Sequence, residues 1–244
     1  MIAEIACRVP DSLGAYRGGV AAGPGGPAAT RLVALRDPAV FDAALSAFSA
    51  GLGETGEPRD RRALVSYWSQ FYFAVLATPA LTALLRLGRP LPLAFDRTSL
   101  ELDAAGRPAR LLVEPDTRAP SAGPPPGLAG LIEDHLNPFV ELCHARCGIA
   151  RRVLWGNAAV ILDYVAREFG EADAPARAEV AACLGWCAGP ACATRGPLAQ
   201  ALCPGASGCR RRTCCLRQRL PGVPSCGALC PLECSTGRCS ESRC

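Results

Sequence analysis

No lysine occurs in this chain; all 26 of its basic residues are arginine. That absence excludes a Walker-type phosphate lysine, a Schiff-base lysine and a pyridoxal-phosphate lysine. Aromatic residues make up 6% of the sequence, and none interleaves with the densest arginine run, Arg210–Arg219, so nucleic acid is not the expected partner. The formal charge of +4 is mild. The longest apolar stretch, Phe71–Leu85, contains Pro79 and is too short and too broken to span a bilayer, so no transmembrane segment is expected. The opening "MIAEIACRVPDSLG" has acids where an export signal carries basic residues, and a reducing, cytoplasmic setting is expected. The glycines of "RGGVAAGPGGPAAT" follow no strand and are interrupted by Pro24 and Pro27, so they are not a dinucleotide fingerprint.

What is present is a long apolar body followed by a tail of a different character. Half of the 244 residues are hydrophobic, enough for a sizeable core. Helical spacing runs over Asp37–Gly51 and Arg61–Ala77, with a break at Pro79 and a short helix ending near Gly88. The period then changes. Two partly alternating runs flank the turn signal "DAAG", predicting a β-hairpin at roughly 93–102 and 108–114. Residues 115–127 hold five prolines and read as a connection. Helices are expected again at 128–146, at 158–169 with Asn157 as N-cap and Gly170 as stop, and at 175–184. Residues 1–30 read as loop. Beyond Trp186 the periodicity vanishes, so something other than a core must order that segment.

Cysteine marks the tail. Of 15 cysteines, 12 lie from Cys183 onward. Clustered thiols in a reducing compartment point to metal or redox work rather than staples. Within the tail, "CCLRQRLPGVPSCGALC" places Cys214 beside Cys215, then ten residues, then Cys226 and Cys230. Cys226 and Cys230 suit one knuckle of a zinc site, but an adjacent pair does not make the second. An iron–sulfur cluster shares its ligands between irons and accepts sulfurs leaving neighbouring Cα atoms in divergent directions. Spacing favours iron–sulfur and leaves zinc open.

The segment "RRTCCLRQRLPGVPSCGALCPL" resembles the C-terminal signature of the FhuF-type siderophore-iron reductases. The stretches Ser66–Asp103 and Ile132–Val165 resemble the same family, and together the likeness covers roughly residues 35–232. The resemblance implies a [2Fe–2S] cluster on Cys214, Cys215 and Cys226, with Cys230 as fourth ligand. Three residues separate Cys226 from Cys230 where the family pattern has two, which makes Cys234 the competitor. It also implies one-electron, outer-sphere reduction of a ferric siderophore, releasing Fe(II) in the cytoplasm. The electrons would come from a separate ferredoxin-like or reductase donor. No general acid or nucleophile is required.

Other groups read more simply. Arg210, Arg211, Arg212, Arg217 and Arg219 either form a solvated basic face or steer an acidic donor or anionic chelate and stabilise a negative cluster. Cys143 and Cys147 share a helix face but lack further ligands, so they read as ordinary thiols, and His135 and His144 as surface histidines. Glu133 and Asp134 are adjacent on a helix and read as a solvated face. The expected fold is α+β: a mostly helical body, a small antiparallel sheet and a C-terminal Cys-rich cluster-binding segment. Its expected divisions are an N-terminal loop region at 1–34, the body at 35–185 and the Cys-rich segment at 186–244. Peripheral contact with a membrane stays open. The alternative function is a non-enzymatic zinc-binding or thiol redox-sensing interaction protein.

Overall fold

The computed structural model describes residues 2–23, 26, 28–53, 57–114, 127–170, 174–186, 196–205 and 208–232. The chain begins with helix α1 (Ile2–Arg8) and strands β1 (Val20–Ala22) and β2 (Thr30–Arg31), then helices α2 (Pro38–Gly51) and α3 (Arg61–Leu87). Strands β3 (Thr98–Leu102) and β4 (Pro108–Val113) follow. Next come α4 (Leu128–Leu131), a π turn at Ile132–Leu136, α5 (Asn137–Cys147), α6 (Arg151–Glu168) and α7 (Ala174–Leu184). The Cys-rich region contains the short α8 (Pro197–Gln200) and strands β5 (Leu202–Gly205) and β6 (Gly208–Arg211). This is the expected α+β class.

Helix α3 is the axis of the molecule. Asp60 caps it, its carboxylate accepting the Arg62 and Ala63 amides at 2.9 and 3.2 Å. Gly88 ends it in the left-handed conformation, φ +60°. The expected break at Pro79 does not occur. Proline costs a helix interior about 3 kcal/mol, but almost every residue from Ala63 to Leu85 is buried, and that packing holds both halves in line. By length and composition α3 could cross a bilayer, yet 83% of its apolar window is buried within the fold. Pro138 shows the opposite outcome. Beside it the expected 128–146 helix is interrupted by the π turn, a common consequence of a missing amide and a crowded ring.

The four-stranded sheet has the order β1-β4-β3-β2. Its β3–β4 hairpin is the predicted one, closed by Asp103, whose carboxylate accepts the Ala105 and Arg107 amides at 2.8 and 2.9 Å. Residues 93–97 precede the strand rather than belonging to it. The sheet is mixed, not purely antiparallel: β1 runs parallel to β4, pairing Val20 with Leu111. That strand and α1 come from the region read as loop; Ile5, Leu13 and Val20 bury into the core without a period long enough to recognise. The 115–127 connection lies outside the described residues except for Gly127.

His135 is wholly buried rather than on the surface. Its Nδ1–H donates to the Leu93 carbonyl, leaving Nε2 to accept from the Tyr72 hydroxyl. Tyr72 stacks on Phe139 with ring centroids 3.9 Å apart. Desolvation pulls the His135 pKa down to about 4, against the Leu93 hydrogen bond, which raises it. A cavity of about 540 Å³ opens nearby, walled by Leu81, Leu84, Leu91, Phe95 and Leu128, with Glu133 and Asp134 exposed at its edge.

His135 is neutral in the fold, while the unfolded chain takes up its proton near pH 6.5. Stability contributed here is complete above that value and falls as pH drops from about 6.5 to about 4. The expected loss across that window is about 3 kcal/mol. Urea unfolding at pH 7 and pH 4.5 should show it in the wild type. His135→Gln should be less stable at pH 7 and lack most of that pH-dependent difference.

Candidate cysteine-loop site

Residues 214–230 are tied down along the N-terminal half of α3. The Ser66 hydroxyl donates to the Cys215 carbonyl at 2.6 Å. Arg217 donates to Gln70 Oε1 at 2.6 Å and to the Ser225 carbonyl at 3.3 Å, with its guanidinium carbon 4.6 Å from the Tyr67 ring centroid. Arg219 reaches the helix-capping Asp60 at 2.9 Å. Asp60, Tyr67 and Gln70 follow at helical intervals, so the loop meets one face of α3. Leu216 sits in the left-handed region at φ +62°, the one non-glycine among the described residues to do so, and this sharp turn brings its amide to 3.3 Å from Cys214 Sγ.

The adjacent cysteines diverge, as their spacing requires. Cys214 is partly exposed and its thiol donates to Gln218 Oε1 at 2.9 Å; Cys215 is buried. Across the loop, Cys215 Sγ and Cys226 Sγ lie 3.6 Å apart without a disulfide. A tetrahedral metal with bonds of ~2.3 Å to sulfur separates its ligands by about 3.8 Å, so this pair matches two corners of such a site. The hydrogen bond from Cys226, opposed by desolvation and aided by the Arg217 backbone and the Arg211 and Arg217 charges, pulls Cys215 down to about 5. Cys226, keeping the shared proton, is pushed well above its ordinary value. Cys230 is buried beside the 227–229 turn. No group of three or more metal-ligating side chains is assembled among the described residues.

A polar chain runs beneath the loop. The Asn157 side-chain amide donates to the Ser66 carbonyl and hydroxyl, both at 2.9 Å, and to Ser69 Oγ at 3.1 Å. Its oxygen accepts from Arg211 Nε at 3.0 Å. Asn157 is therefore no helix cap: α6 begins at Arg151, and Asn157 lies two turns inside it, fully buried. Arg211 is also buried, with Nη1 lacking a hydrogen-bond partner among the described residues. The thiols of Cys215, Cys226 and Cys230 are among the groups whose charge would act on it most. A buried cation that acts electrostatically on three thiols suits an anionic, thiolate-held group.

The arginines thus divide. Arg211 and Arg217 are built into the structure, Arg219 is paired with Asp60, and Arg212 is exposed. Sequence reasoning missed Ser66, Ser69 and Gln70, and misread Asn157; the available signal was a polar residue at a core-facing helical position. Cys143 is a buried thiol and Cys147 donates to its carbonyl at 3.1 Å, as expected of ordinary cysteines. His144 is part-buried, its Nδ1 2.8 Å from the Ile149 carbonyl oxygen. Trp68 is core, its indole donating to the Gly106 carbonyl at 3.1 Å. Cys234, Cys239, Cys244, Cys187 and Cys192 lie outside the described residues.

Comparison with known proteins places the chain near reductases of ferric iron. The family described as "Ferric iron reductase FhuF-like transporter" matches residues 66–207, beginning in the loop-bearing part of α3. That match ends before Cys214. A relative from Escherichia coli (strain K12), "Ferric siderophore reductase", is 27% identical over 172 residues, 69% of this chain and 66% of that protein. The chain thus spans just under two thirds of that relative's length.

Asn157→Leu should cost about 3 kcal/mol, because it strands Arg211 Nε and the Ser66 and Ser69 groups in the interior. Arg212→Gln, on the exposed side of the same strand end, should stay within about 0.5 kcal/mol of wild type. Urea unfolding followed by tryptophan fluorescence checks both.

Proposed function

The chain belongs to the FhuF-like ferric iron reductase family, and on that premise we propose that it reduces the iron of a ferric siderophore by one electron. The proposed cofactor is a [2Fe–2S] cluster held by Cys214, Cys215, Cys226 and Cys230, and the proposed compartment is the cytoplasm. The observation that carries the reading is the Cys215–Cys226 pair, 3.6 Å apart and under the charge of a buried guanidinium whose Nη1 meets no partner among the described residues. When bound, the cluster supplies a single low-potential electron, near about −400 mV for ferredoxin-like cysteine ligation. The chain's residues do the rest. Arg217 and Arg219 clamp the loop to α3, Ser66 fixes the Cys215 backbone, and the partly exposed Cys214 sets one thiol near solvent.

The redox balance is simple. One electron enters from a separate donor protein and leaves to Fe(III), which becomes Fe(II) and is held far more weakly by hard oxygen donors. No proton or covalent bond need move. Exposed Arg212 and the outer faces of Arg217 and Arg219 suit an acidic donor or an anionic chelate. The 540 Å³ cavity is not the proposed reduction site. Its nearest α3 residue, Ala80, lies about 15 Å along the helix from Gln70, and electron transfer slows steeply with distance.

A second reading, a zinc-binding or thiol redox-sensing protein, draws on the same observation, since the depressed Cys215 thiol beside Cys226 suits thiolate chemistry as well. Metal analysis separates the two. Protein purified without air should be coloured and contain two irons and two acid-labile sulfides per chain, as a [2Fe–2S] cluster requires. Cys214→Ser should lose most of that iron, whereas Cys244→Ser should keep it. Equal iron in both variants would overturn the ligand assignment, and a colourless chain with stoichiometric zinc would favour the second reading.

A further inference from the structure

Among five arginines around the cysteine loop, Arg211 alone is fully buried, with 1% of its surface exposed. Burying a guanidinium is costly unless its charge and donors are met. The stem is met: it packs over Gly156 of α6, where an added Cβ would make only ordinary contact at 3.8–3.9 Å. Nε is met by Asn157 at 3.0 Å. Nη1 is not met by any described group. No carboxylate is among its strongest charge partners, which are the thiols of Cys215, Cys226 and Cys230 and the like charge of Arg217.

The placement is determined by the fold. Arg211 ends β6 opposite Leu202 of β5, and Arg210 and Arg212 on either side are not buried. Alternation along the strand selects the middle arginine of the triplet for the interior. Asn157 then fixes the fork, because its own amide hydrogens are committed to Ser66 and Ser69 and only its oxygen is left to accept. The result is a permanent positive charge that cannot rotate away from the cysteines without stranding Asn157. Solvent and salt screen such a buried charge far less than the surface arginines.

We propose that Arg211 is a positioning residue whose fixed charge, oriented by Asn157, sets the reduction potential of the group that Cys215, Cys226 and Cys230 help to hold. This rests on the reductase reading above. Thiolates make that group negative, and each added electron makes it more so; a buried cation favours the reduced form over the oxidised one. Arg211 neither takes nor gives an electron or a proton. Its effect is on the equilibrium.

The test measures iron and sulfide content, and midpoint potential by EPR-monitored titration, in wild type, Arg211→Gln, Arg211→Lys and Arg212→Gln. Arg211→Gln should shift the reduction equilibrium at least tenfold toward the oxidised form, ~59 mV for a one-electron couple. Arg211→Lys should lie within about threefold of wild type, restoring most of the shift, and Arg212→Gln should not differ from wild type. If Arg211→Gln fails to fold, the isosteric Asn157→Asp leaves Arg211 in place and opposes its charge; it should move the potential in the same direction. Loss of iron from Arg211→Gln with retention in Arg211→Lys also supports a requirement for charge. Wild-type potentials in both Arg211→Gln and Asn157→Asp at wild-type iron content overturn the proposal. A wild-type chain that binds no iron or sulfide overturns the underlying reading instead.

Discussion

Asn157 has four hydrogen-bonding sites on its side chain and a dry interior in which to satisfy them. It does so by joining three separate parts of the chain: its amide donates to Ser66 and Ser69 of α3, and its oxygen receives Arg211 of β6. Ser66 in turn holds the backbone of Cys215. Apolar packing of α3 against α6 supplies most of the stability, as in any such core, but packing alone is indifferent to how a cysteine loop sits on top. The buried amide removes that freedom. An arrangement that shifts the loop leaves a donor or acceptor stranded, at a cost of about 1–3 kcal/mol for each group.

The same network explains how the described residues of a region with almost no apolar period are held in place. Among the described residues from 202 to 232, few large side chains join the core, Leu202 and Leu220 among them. What orders them is a set of arginine contacts to α3 and one short antiparallel pair. A chain without lysine is suited to this. Planar guanidinium groups stack on Tyr67, bond to an amide and pair with a carboxylate while remaining charged, which an ammonium does less well. The structure uses arginine as a construction element around the thiols rather than as a uniform basic surface.

Much of the body is legible in the sequence. Periodicity located α2, α7 and the start of α3 within a few residues, and "DAAG" marked the hairpin turn because an Asp side chain satisfies two turn amides there. The errors have a common cause: local rules lost to burial. Pro79 failed to break α3 and Asn157 failed to cap α6, because each lies where core contacts outweigh a local preference. The parallel strand β1 was invisible, being three residues whose partner lies 91 positions away. At the site, the sequence showed which thiols share a loop and that adjacent sulfurs would diverge. It did not show which arginine of "RRR" turns inward, since strand register decides that and only the fold sets the register.

On the proposed function, the site is a charge arrangement. Divergent cysteines offer one thiol inside and one near the surface, and the buried guanidinium offsets the negative charge that thiolates bring. The direct test is a single turnover. Protein loaded with its cluster and reduced anaerobically is mixed with a ferric siderophore in the presence of a ferrous chelator that reports Fe(II). The account predicts about one Fe(II) per reduced cluster, appearing as the cluster reoxidises, with none from Cys214→Ser. Reoxidation without Fe(II), or equal Fe(II) from Cys214→Ser, would contradict it.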